Sequence, residues 1–550
     1  MVETFVSVVH DHSLALPNKT ALVDEFGSYT YQELDRLSNG VAAKLIGQGI
    51  GTEDIVPILM KRSKAFVAAF IGVMKSGAAF VPLDINYPEE RIKSIEESVD
   101  AKIVINDEWM KAVAPSDEFI DNSKPDDIAF IIFTSGSTGT PKGVVHTHKS
   151  AVAMAKAAIA SCSLNPETNY STILGCNFIG GLHDYISYLY LGASLFIAPD
   201  RIRKDADALS TWMCNNNIEA MHCNPSFGKI LLENYNLPIK YIEMGSEKLF
   251  PISKTSAKIA YQYGCSEFAP PAIINTNIHL NESAPIGKPV DGVMAFIVTY
   301  ENKLVNNNEI GELCLVGPQM ASGYWKMPDL TAEKFVHCPF LPGDVKMYKT
   351  GDLARYREDG NIELVGRKDF QIKIRGFRIE PGEIENVAVK FDGIDTVVVV
   401  AKEMGAEKQL VLYYTSNAQV DETRLKEYLS KYLADYMVPN FYVRLDEMPR
   451  NANGKIDRSA LPEPKMSGGA NKPATELEKI IFDAVAGEIG HSDFGVFDSF
   501  ESLGLSSIGL VSMAASLMQQ NVIVGFDEVA DANCVRLIAE RVSKKMNNTQ

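Results

Sequence analysis

The sequence predicts three folded parts: a large α/β domain, a small α+β domain and a short all-α bundle. The first observation is an alternation of amphipathic helical stretches, such as residues 31–46, with short apolar runs, such as residues 128–133. The alternation runs from residue 29 to about residue 199. It is typical of an α/β domain whose sheet is largely parallel.

The second and third observations lie further along the chain. Short strand-like runs at 362–365 and 371–374, separated by glycines, indicate an α+β domain that begins close to Asp369. Helical periodicity then covers residues 476–489 and 508–519, which is enough for a small helical bundle.

A segment rich in proline, glycine and lysine, LPEPKMSGGANKP at 461–473, predicts a flexible connection before the bundle. We therefore expect a large domain at 1–368, a small domain at 369–462, a linker at 463–473 and a final domain at 474–550.

Length and composition agree with several soluble domains. The chain has 550 residues, whereas domains average about 100–200 residues. Apolar residues make up 46% and charged residues 22%, the balance of a soluble globular protein. The net charge of −17 is spread over both halves without a basic run. A nucleic-acid-binding protein, which needs a basic patch, is therefore excluded.

The eight cysteines are scattered without a CxxC pair, which favours reduced core thiols over a zinc site. Residues 1–16 carry histidines and acids where a secretion signal would have a basic flank and an apolar run. No apolar stretch approaches the roughly 18 residues that a membrane span needs. We expect a cytoplasmic protein with no membrane partner.

The sharpest local signal is a glycine-rich loop, FTSGSTGTPKG at 133–143, which directly follows an apolar run. Glycines let backbone N–H groups approach a phosphate, hydroxyls add donors, and a lysine supplies positive charge. The alternative is a flexible surface turn. The residues that would contact the phosphates are Thr134, Ser135, Gly136, Ser137, Thr138, Gly139 and Lys142.

The TSGSTGxPKG pattern resembles the signature of the adenylate-forming superfamily, which includes acyl-CoA synthetases, luciferases and peptide-synthetase adenylation domains. Further blocks of that family occur in its order: YQEL at 31–34, KSGAAFVPLD at 75–84, YGCSE at 263–267, GYW at 323–325, YKTGDL at 348–353, GRKDFQIKIRGFRIEPGEIE at 366–385 and NGKIDR at 453–458. The resemblance covers nearly all of residues 20–462. These motifs are most similar to those of adenylation domains of nonribosomal peptide synthetases.

The resemblance implies that the chain uses ATP with Mg²⁺ and assigns residues to both. Glu267 would hold the metal, which neutralises phosphate charge. Ser266 stands where the family usually has threonine and keeps a hydroxyl near the phosphates. Asp352 would accept hydrogen bonds from the ribose, and Tyr263 and Arg367 would also contact the nucleotide. Each could alone be an ordinary surface residue.

Two further residues of the small domain gain roles from the resemblance. Lys455, in the NGK motif, resembles the lysine that bridges the substrate carboxylate and the adenylate, where its charge would stabilise the in-line attack. Asp369 matches the hinge about which the small domain rotates between the two half-reactions. With Lys142 and Glu267, Lys455 completes the catalytic set of the first half-reaction.

The C-terminal stretch FDSFESLGLSSIGLVSMAASL at 497–517 resembles carrier proteins, which are four-helix bundles. Ser507 would bear the 4′-phosphopantetheine arm, and Ser506 stands where carriers usually have histidine or aspartate. The alternative, Ser507 as a helix N-cap, leaves the DSFESLG lead-in unexplained. The implied partners are a phosphopantetheinyl transferase and downstream condensation or tailoring enzymes that take the thioester.

The acid substrate is predicted from the region beginning CNFIGGLHDY at Cys176. Amino-acid-activating relatives carry an aspartate where this chain has Ile179, and a buried ammonium without an anionic partner is costly. An aryl, keto, hydroxy, aminobenzoic, aliphatic or unusual amino acid is therefore favoured, and Asp184 or Glu243 could pair with an amine. The residues that align with the pocket are Asn177, Phe178, Ile179, Gly180, His183, Ser226, Ile242, Met244, Gln262, Pro270 and Pro271.

The predicted activity is therefore that of an acid–thiol ligase that loads its own carrier domain and feeds a natural-product pathway. Three alternatives remain open. They are a didomain for a standard amino acid with atypical amine recognition, an acyl-CoA-synthetase-like ligase, and a non-catalytic scaffold. The scaffold would be expected to have lost Lys142, Glu267, Asp352 or Lys455, and all four residues are present.

Overall fold

The computed structural model describes residues 3–136, 141–249, 251–368, 371–374, 377–404, 407–416, 420–450, 456–464, 472–500, 503–505, 507–520, 522 and 524–548. The chain divides into two compact units. The first comprises residues 1–134, 141–200 and 213–369, and the second comprises residues 135–140, 201–212 and 370–550.

The α-helices are α1 Phe5–Ala15, α2 Tyr31–Gly47, α3 Lys64–Ser76, α4 Glu89–Ser98, α5 Asp107–Lys111, α6 His148–Cys162, α7 Ile179–Leu191, α8 Ala206–Asn215, α9 Pro225–Asn234, α10 Pro328–Lys334, α11 Pro381–Ala388, α12 Glu422–Ser430, α13 Glu476–Ile489, α14 Ser507–Gln519, α15 Phe526–Ala532 and α16 Val535–Asn548. Short 3₁₀ turns occur at Asp435–Met437 and Arg458–Ala460.

The strands are β1 Thr20–Asp24, β2 Gly27–Thr30, β3 Ile55–Leu59, β4 Ala79–Leu83, β5 Ile128–Thr134, β6 Lys142–Thr147, β7 Asn169–Thr172, β8 Ser194–Ile197, β9 Ala220–Cys223, β10 Tyr241–Gly245, β11 Lys258–Cys265, β12 Phe268–Asn275, β13 Lys288–Pro289, β14 Met294–Val298, β15 Gly311–Val316, β16 Gly323–Tyr324, β17 Phe335–His337, β18 Lys346–Tyr356, β19 Ile362–Arg367, β20 Ile372–Ile374, β21 Phe377–Ile379, β22 Thr396–Met404, β23 Glu407–Thr415 and β24 Phe441–Leu445.

Three sheets form the framework of the first unit. Among the described residues, one sheet has the order β13-β12-β11-β10-β9-β7-β8-β1-β2. Its six neighbouring strands β11, β10, β9, β7, β8 and β1 run parallel. A second sheet has the order β16-β6-β5-β4-β3, and a third joins β14, β15, β18 and β17, with β19 paired to β18. The largely parallel sheet predicted from the alternation of helices and apolar runs is thus confirmed.

Helix α2 confirms the helix predicted at residues 31–46. It begins with a capping box, because the Thr30 hydroxyl accepts from the Glu33 N–H and the Glu33 carboxylate accepts from the Thr30 N–H. Its inner face packs on α3, where the fully buried Lys75 Nζ lies 2.6 Å from Asp35 Oδ1 and 2.6 Å from Asn39 Oδ1. A buried ammonium is tolerated there because an opposite charge and an amide oxygen satisfy it.

The second unit contains two small sheets, β20-β21 and β22-β23-β24, followed by helices α13 to α16. Helices α13 and α14 confirm the two helices predicted from periodicity. All four helices contribute to one hydrophobic core, which includes Ile481, Leu517, Val529 and Ile538. Helix α13 starts at a Thr475–Glu478 capping box and ends at Gly490 in the left-handed conformation.

The cysteines agree with the prediction of reduced thiols. All eight are free, and six of them are buried. Within the part of the chain that the structure describes, no helix combines the length and the apolar character that crossing a membrane requires.

Candidate active site

The predicted phosphate loop connects the antiparallel strands β5 and β6, whose last and first residues, Thr134 and Lys142, are in register. The Thr134 hydroxyl is buried and has no hydrogen-bond partner among the described residues. Buried hydroxyls are normally satisfied, so this one is suited to a ligand oxygen. Three predicted loop residues, Ser137, Thr138 and Gly139, lie outside the described residues.

Ser135 and Gly136 are grouped with the second unit. The Ser135 hydroxyl donates to the Arg378 carbonyl at 2.8 Å, and the Gly136 N–H donates to Glu383 Oε2 at 2.8 Å. Both predicted phosphate contacts are therefore engaged with protein groups in this structure. To bind a phosphate they would have to exchange these partners.

Lys142 and Glu267 lie together in the first unit. Lys142 Nζ is 3.7 Å from Glu267 Oε1, and the Tyr324 hydroxyl donates to the same oxygen at 2.7 Å. Lys142 Nζ also lies 5.3 Å from the centroid of the Tyr324 ring, within the range of a cation–π contact. Glu267 is fully buried. The three residues come from the separate family blocks around residues 142, 267 and 324, and the fold brings them into one cluster.

His146 supports this cluster through the backbone next to Glu267. Its Nε2 lies 2.7 Å from the Ser266 carbonyl, and its ring stacks on Phe130 with the centroids 4.9 Å apart. Burial lowers the pKa of His146 to about 4, so the ring is neutral at physiological pH and its Nε2–H donates to the carbonyl. Sequence reasoning missed His146, which no family block contains.

The predicted nucleotide residues Tyr263, Asp352 and Arg367 form a second cluster. The Tyr263 hydroxyl donates to Asp352 Oδ2 at 2.5 Å, and Arg367 Nη1 donates to Asp352 Oδ1 at 2.5 Å. Asp352 and Arg367 face each other across the β18–β19 hairpin. Burial and the neighbouring Asp352 raise the pKa of Tyr263, which keeps its phenol protonated as a donor.

The residues predicted to line the acid pocket are carried by α7, α9 and three neighbouring strands. Phe178 precedes α7, and Asn177 Nδ2 donates to the Tyr87 hydroxyl at 2.7 Å. On α9, the Ser226 hydroxyl donates to Glu247 Oε2 at 2.7 Å. The remaining pocket residues lie on α7 (Ile179, Gly180, His183), β10 (Ile242, Met244), β11 (Gln262) and β12 (Pro270, Pro271).

A buried polar cluster, defined here as His183, Asp184, His222, Glu243 and Gln262, lies at α7 and strands β9, β10 and β11. Asp184 Oδ1 is 2.9 Å from His222 Nδ1 and 3.3 Å from His183 Nδ1. Gln262 Nε2 is 3.0 Å from His222 Nε2 and 3.3 Å from Glu243 Oε2. Their nitrogen and carboxylate atoms could also hold a metal, since ligand atoms of His183, Asp184 and His222 lie within 4.8 Å of one another.

In this cluster, burial and the neighbouring charged groups shift the pKa values of Asp184 and His222 in opposite directions. Burial disfavours the carboxylate of Asp184, but the two imidazoles outweigh it and hold the pKa of Asp184 below its usual value. Burial likewise disfavours the imidazolium of His222, but Asp184 and Glu243 outweigh it and raise the pKa of His222. Sequence reasoning missed His222 because only the parallel register of β9 and β10 places it beside Glu243.

The predicted arm-bearing residue Ser507 is the first residue of α14. In the turn before it, Gly504 has a positive φ of 76°, and its carbonyl accepts from Gln409 Nε2 at 2.5 Å. Gln409 Oε1 in turn accepts from Asn440 Nδ2 at 2.8 Å. The turn is thus held against strand β23. Asp369, Lys455 and Ser506 lie outside the described residues.

Comparison with known proteins identifies relatives over the whole chain. A family model described as AMP-binding enzyme matches residues 10–325, and one described as AMP-binding enzyme C-terminal domain matches residues 383–455. Tyrocidine synthase 1 of Brevibacillus parabrevis is 35% identical over 536 residues, which cover 92% of this chain and 49% of that protein. This chain spans half or less of the length of the curated relatives it matches.

Solved structures are also similar. The structure of holo-PA1221, described as an NRPS protein containing adenylation and PCP domains, matches with a TM-score of 0.81 and 20% identity, covering 98% of this chain and 96% of that one. NpsA-ThdA, an artificially fused adenylation-PCP di-domain from Klebsiella oxytoca, matches with a TM-score of 0.72 and 25% identity, covering 81% of this chain and 94% of that one.

Proposed function

Because the chain belongs to the AMP-binding family of adenylate-forming ligases, we propose that it activates a carboxylic acid with ATP and passes the acyl group to a phosphopantetheine arm on its own Ser507. The observation that carries this proposal is the convergence of Tyr263 and Arg367 on the carboxylate of Asp352, which Tyr263 reaches across 89 positions of the sequence.

In this proposal the Asp352 carboxylate receives the ribose hydroxyls of ATP. Two donors, the Tyr263 phenol and the Arg367 guanidinium, fix its orientation. The Thr134 hydroxyl, which has no hydrogen-bond partner among the described residues, and the ammonium of Lys142 would contact phosphate oxygens. Ser135, Gly136, Ser137, Thr138 and Gly139 would complete the loop. Positive charge at that point stabilises the charge that develops as the acid oxygen displaces pyrophosphate.

Glu267 fits a magnesium ion, because its buried carboxylate offers the hard oxygen ligand that Mg²⁺ prefers. When bound, Mg²⁺ would neutralise phosphate charge and polarise the phosphorus under attack. Lys142, 3.7 Å away, and the Tyr324 hydroxyl orient the carboxylate for that task. We assign Lys455 the role of offsetting the charges of the acid and the adenylate, and Asp369 the role of hinge.

We assign residues 474–550 as the carrier domain, 463–473 as its linker, and 1–368 and 369–462 as the two parts of the adenylation domain. Helices α13 to α16 and their shared core support a separate bundle, as does the similarity to structures described as containing a PCP domain. Ser507 fits the arm because it opens α14, where an attached phosphate meets the positive end of the helix. The arm would supply the thiol that accepts the acyl group.

The substrate in this proposal is an aryl, keto, hydroxy or unusual amino acid. Ile179, in the first turn of α7, cannot pair with an α-ammonium. A phosphopantetheinyl transferase would install the arm, and condensation or tailoring enzymes would take the thioester.

Intact-mass measurement of the phosphopantetheinylated protein after incubation with ATP, Mg²⁺ and pooled acids tests the proposal. We expect an acyl adduct on Ser507. Ser507→Ala should abolish both arm and adduct while leaving acid-dependent ATP–pyrophosphate exchange intact. The matched Ser516→Ala, at another serine of the same helix, should keep all three.

Each other outcome refutes a defined part of the proposal. Exchange without an adduct would refute loading of the chain's own arm, and release of acyl-CoA when coenzyme A is added would favour the acyl-CoA-synthetase-like alternative. An adduct of an ordinary α-amino acid would refute the substrate assignment. Absence of both exchange and adduct would refute acid activation itself.

A further inference from the structure

The buried polar cluster contains two carboxylates, and among the described residues only Asp184 has imidazole nitrogens within hydrogen-bond distance. Its members His183, Asp184, His222, Glu243 and Gln262 have relative exposures of 0%, 0%, 5%, 0% and 3%. Asp184 contacts two imidazoles and also accepts from the Thr172 hydroxyl at 2.7 Å. Among the described residues, neither lysine nor arginine forms an ion pair with Asp184 or Glu243.

Glu243 accepts its hydrogen bonds from a phenol and an amide. Its Oε1 accepts from the Tyr188 hydroxyl at 2.8 Å, and its Oε2 accepts from Gln262 Nε2 at 3.3 Å. His183 Nε2 lies 3.7 Å from Oε2, beyond hydrogen-bond distance. A buried carboxylate that has no lysine or arginine beside it is poorly compensated, so the site favours a ligand that brings positive charge.

The unused atoms around Glu243 are acceptors. Gln262 uses its amide nitrogen on His222 Nε2 and Glu243 Oε2, which leaves Gln262 Oε1 buried without a partner among the described residues. His183 Nδ1 lies 3.3 Å from Asp184 Oδ1, and in the tautomer that donates from Nδ1 the ring presents Nε2 as an acceptor. Nε2 also lacks a hydrogen-bond partner in the described chain. Two unused acceptors beside a buried carboxylate predict a ligand with several N–H groups.

The cluster includes two residues of the predicted acid pocket and one neighbour in sequence of the predicted nucleotide residue Tyr263. His183 and Gln262 occupy positions that the family resemblance assigns to the acid pocket, and Gln262 directly precedes Tyr263 on β11. A Cβ on Gly180 would lie 3.4 Å from His222 Cε1, so this glycine brings α7 close to the cluster. His183 is one helical turn, about 6 Å, further along α7 than Ile179, which stands at the usual α-ammonium position.

We propose that the buried polar cluster binds an amino group of the acid substrate that lies away from its α-carbon, with Glu243, His183 and Gln262 accepting the N–H groups. The substrate is then an acid such as an aminobenzoic acid or a β- or ω-amino acid. Asp184 and His222 act as positioning residues that orient His183 and Gln262. This inference rests on the proposed acid activation and narrows its substrate class.

Acid-dependent ATP–pyrophosphate exchange with matched acids tests the inference. The 2-, 3- and 4-aminobenzoates are compared with benzoate and the corresponding hydroxybenzoates, and β-alanine and 4-aminobutyrate with propionate and butyrate. For at least one pair we expect kcat/KM to be at least about 100-fold higher for the acid that carries the amino group. An acid without the amino group leaves buried acceptors unpaired. Glu243→Gln should reduce that preference below about tenfold with the KM for ATP unchanged.

Two variants keep the result interpretable. Glu90→Gln makes the same chemical change at an exposed position of α4 and should retain the full preference. Gln262→Met removes the unused acceptor and the amide that donates to Glu243 Oε2 but keeps the Glu243 carboxylate, and it should also lower the preference if Glu243→Gln fails to fold.

Three results would overturn the inference. They are equal use of amine-free acids, a preference unchanged in both Glu243→Gln and Gln262→Met, and a stoichiometric metal in the purified protein that disappears in His222→Asn. Exchange with amine-free acids alone would leave acid activation standing, whereas no exchange with any acid would remove the proposed function and this inference together.

Discussion

Replacement of Tyr263 by phenylalanine tests the contact between Tyr263 and Asp352 in the proposed nucleotide site. The phenol donates to Asp352 Oδ2 at 2.5 Å, while Arg367 Nη1 holds Oδ1 at 2.5 Å. Tyr263→Phe removes only the first contact and leaves the ring in place. Asp352 would then be oriented from one side alone.

The size of the effect follows from the charge on the acceptor. A hydrogen bond to a charged group contributes about 1.5–3 kcal/mol, and each 1.4 kcal/mol is a factor of about ten in affinity. If the whole loss falls on nucleotide binding, the KM for ATP rises about 10- to 100-fold in the exchange assay. Any share that falls on folding lowers the unfolding temperature without ATP and reduces the KM effect accordingly.

Tyr356→Phe is the matched control. Tyr356 lies on β18, the strand that carries Asp352, and its hydroxyl donates to the neutral Ala295 carbonyl of β14 at 2.8 Å. Loss of that bond should cost about 0.5–1.5 kcal/mol of stability and leave the KM for ATP unchanged. If Tyr263→Phe matched this control in both stability and KM, Asp352 would not be the ribose-binding residue and the assignment of the cluster would fail.

Two further predictions concern pH and the turn before Ser507. Because the pKa of His222 is raised in the folded protein, its ionic contact with Asp184 is fully present below the ordinary histidine value of about 6.5 and is lost as pH rises through the folded value. The difference in unfolding temperature between wild type and His222→Asn should therefore shrink as pH rises above neutrality, and a difference that grew would contradict it. Gly504→Ala should destabilise the turn by about 1–2 kcal/mol, because φ is 76° and the new Cβ would lie 3.0 Å from the Phe441 ring. Faster proteolysis at this turn than in Gly487→Ala, where a Cβ meets nothing within 4 Å, would verify it.

Local patterns in the sequence were sufficient for much of the fold. The amphipathic pattern of residues 31–46 and the periodicity of residues 476–489 predicted α2 and α13 closely. Such signals depend on neighbours within one or two turns, so the chain itself carries them. The family blocks also named Tyr263, Asp352 and Arg367, although nothing in the spacing of these residues says that they touch.

What the sequence alone determined, then, is the order of the elements, the phosphate loop after β5 and the residue types available for ATP. The tertiary structure decided which side chains meet: Tyr263 reaches Asp352 across 89 positions, and His222 reaches Asp184 across 38. These contacts depend on strand order and parallel register, which are set by how crossover helices pack and not by any local periodicity. The buried cluster around Glu243 therefore became visible only once β9, β10 and β11 were aligned.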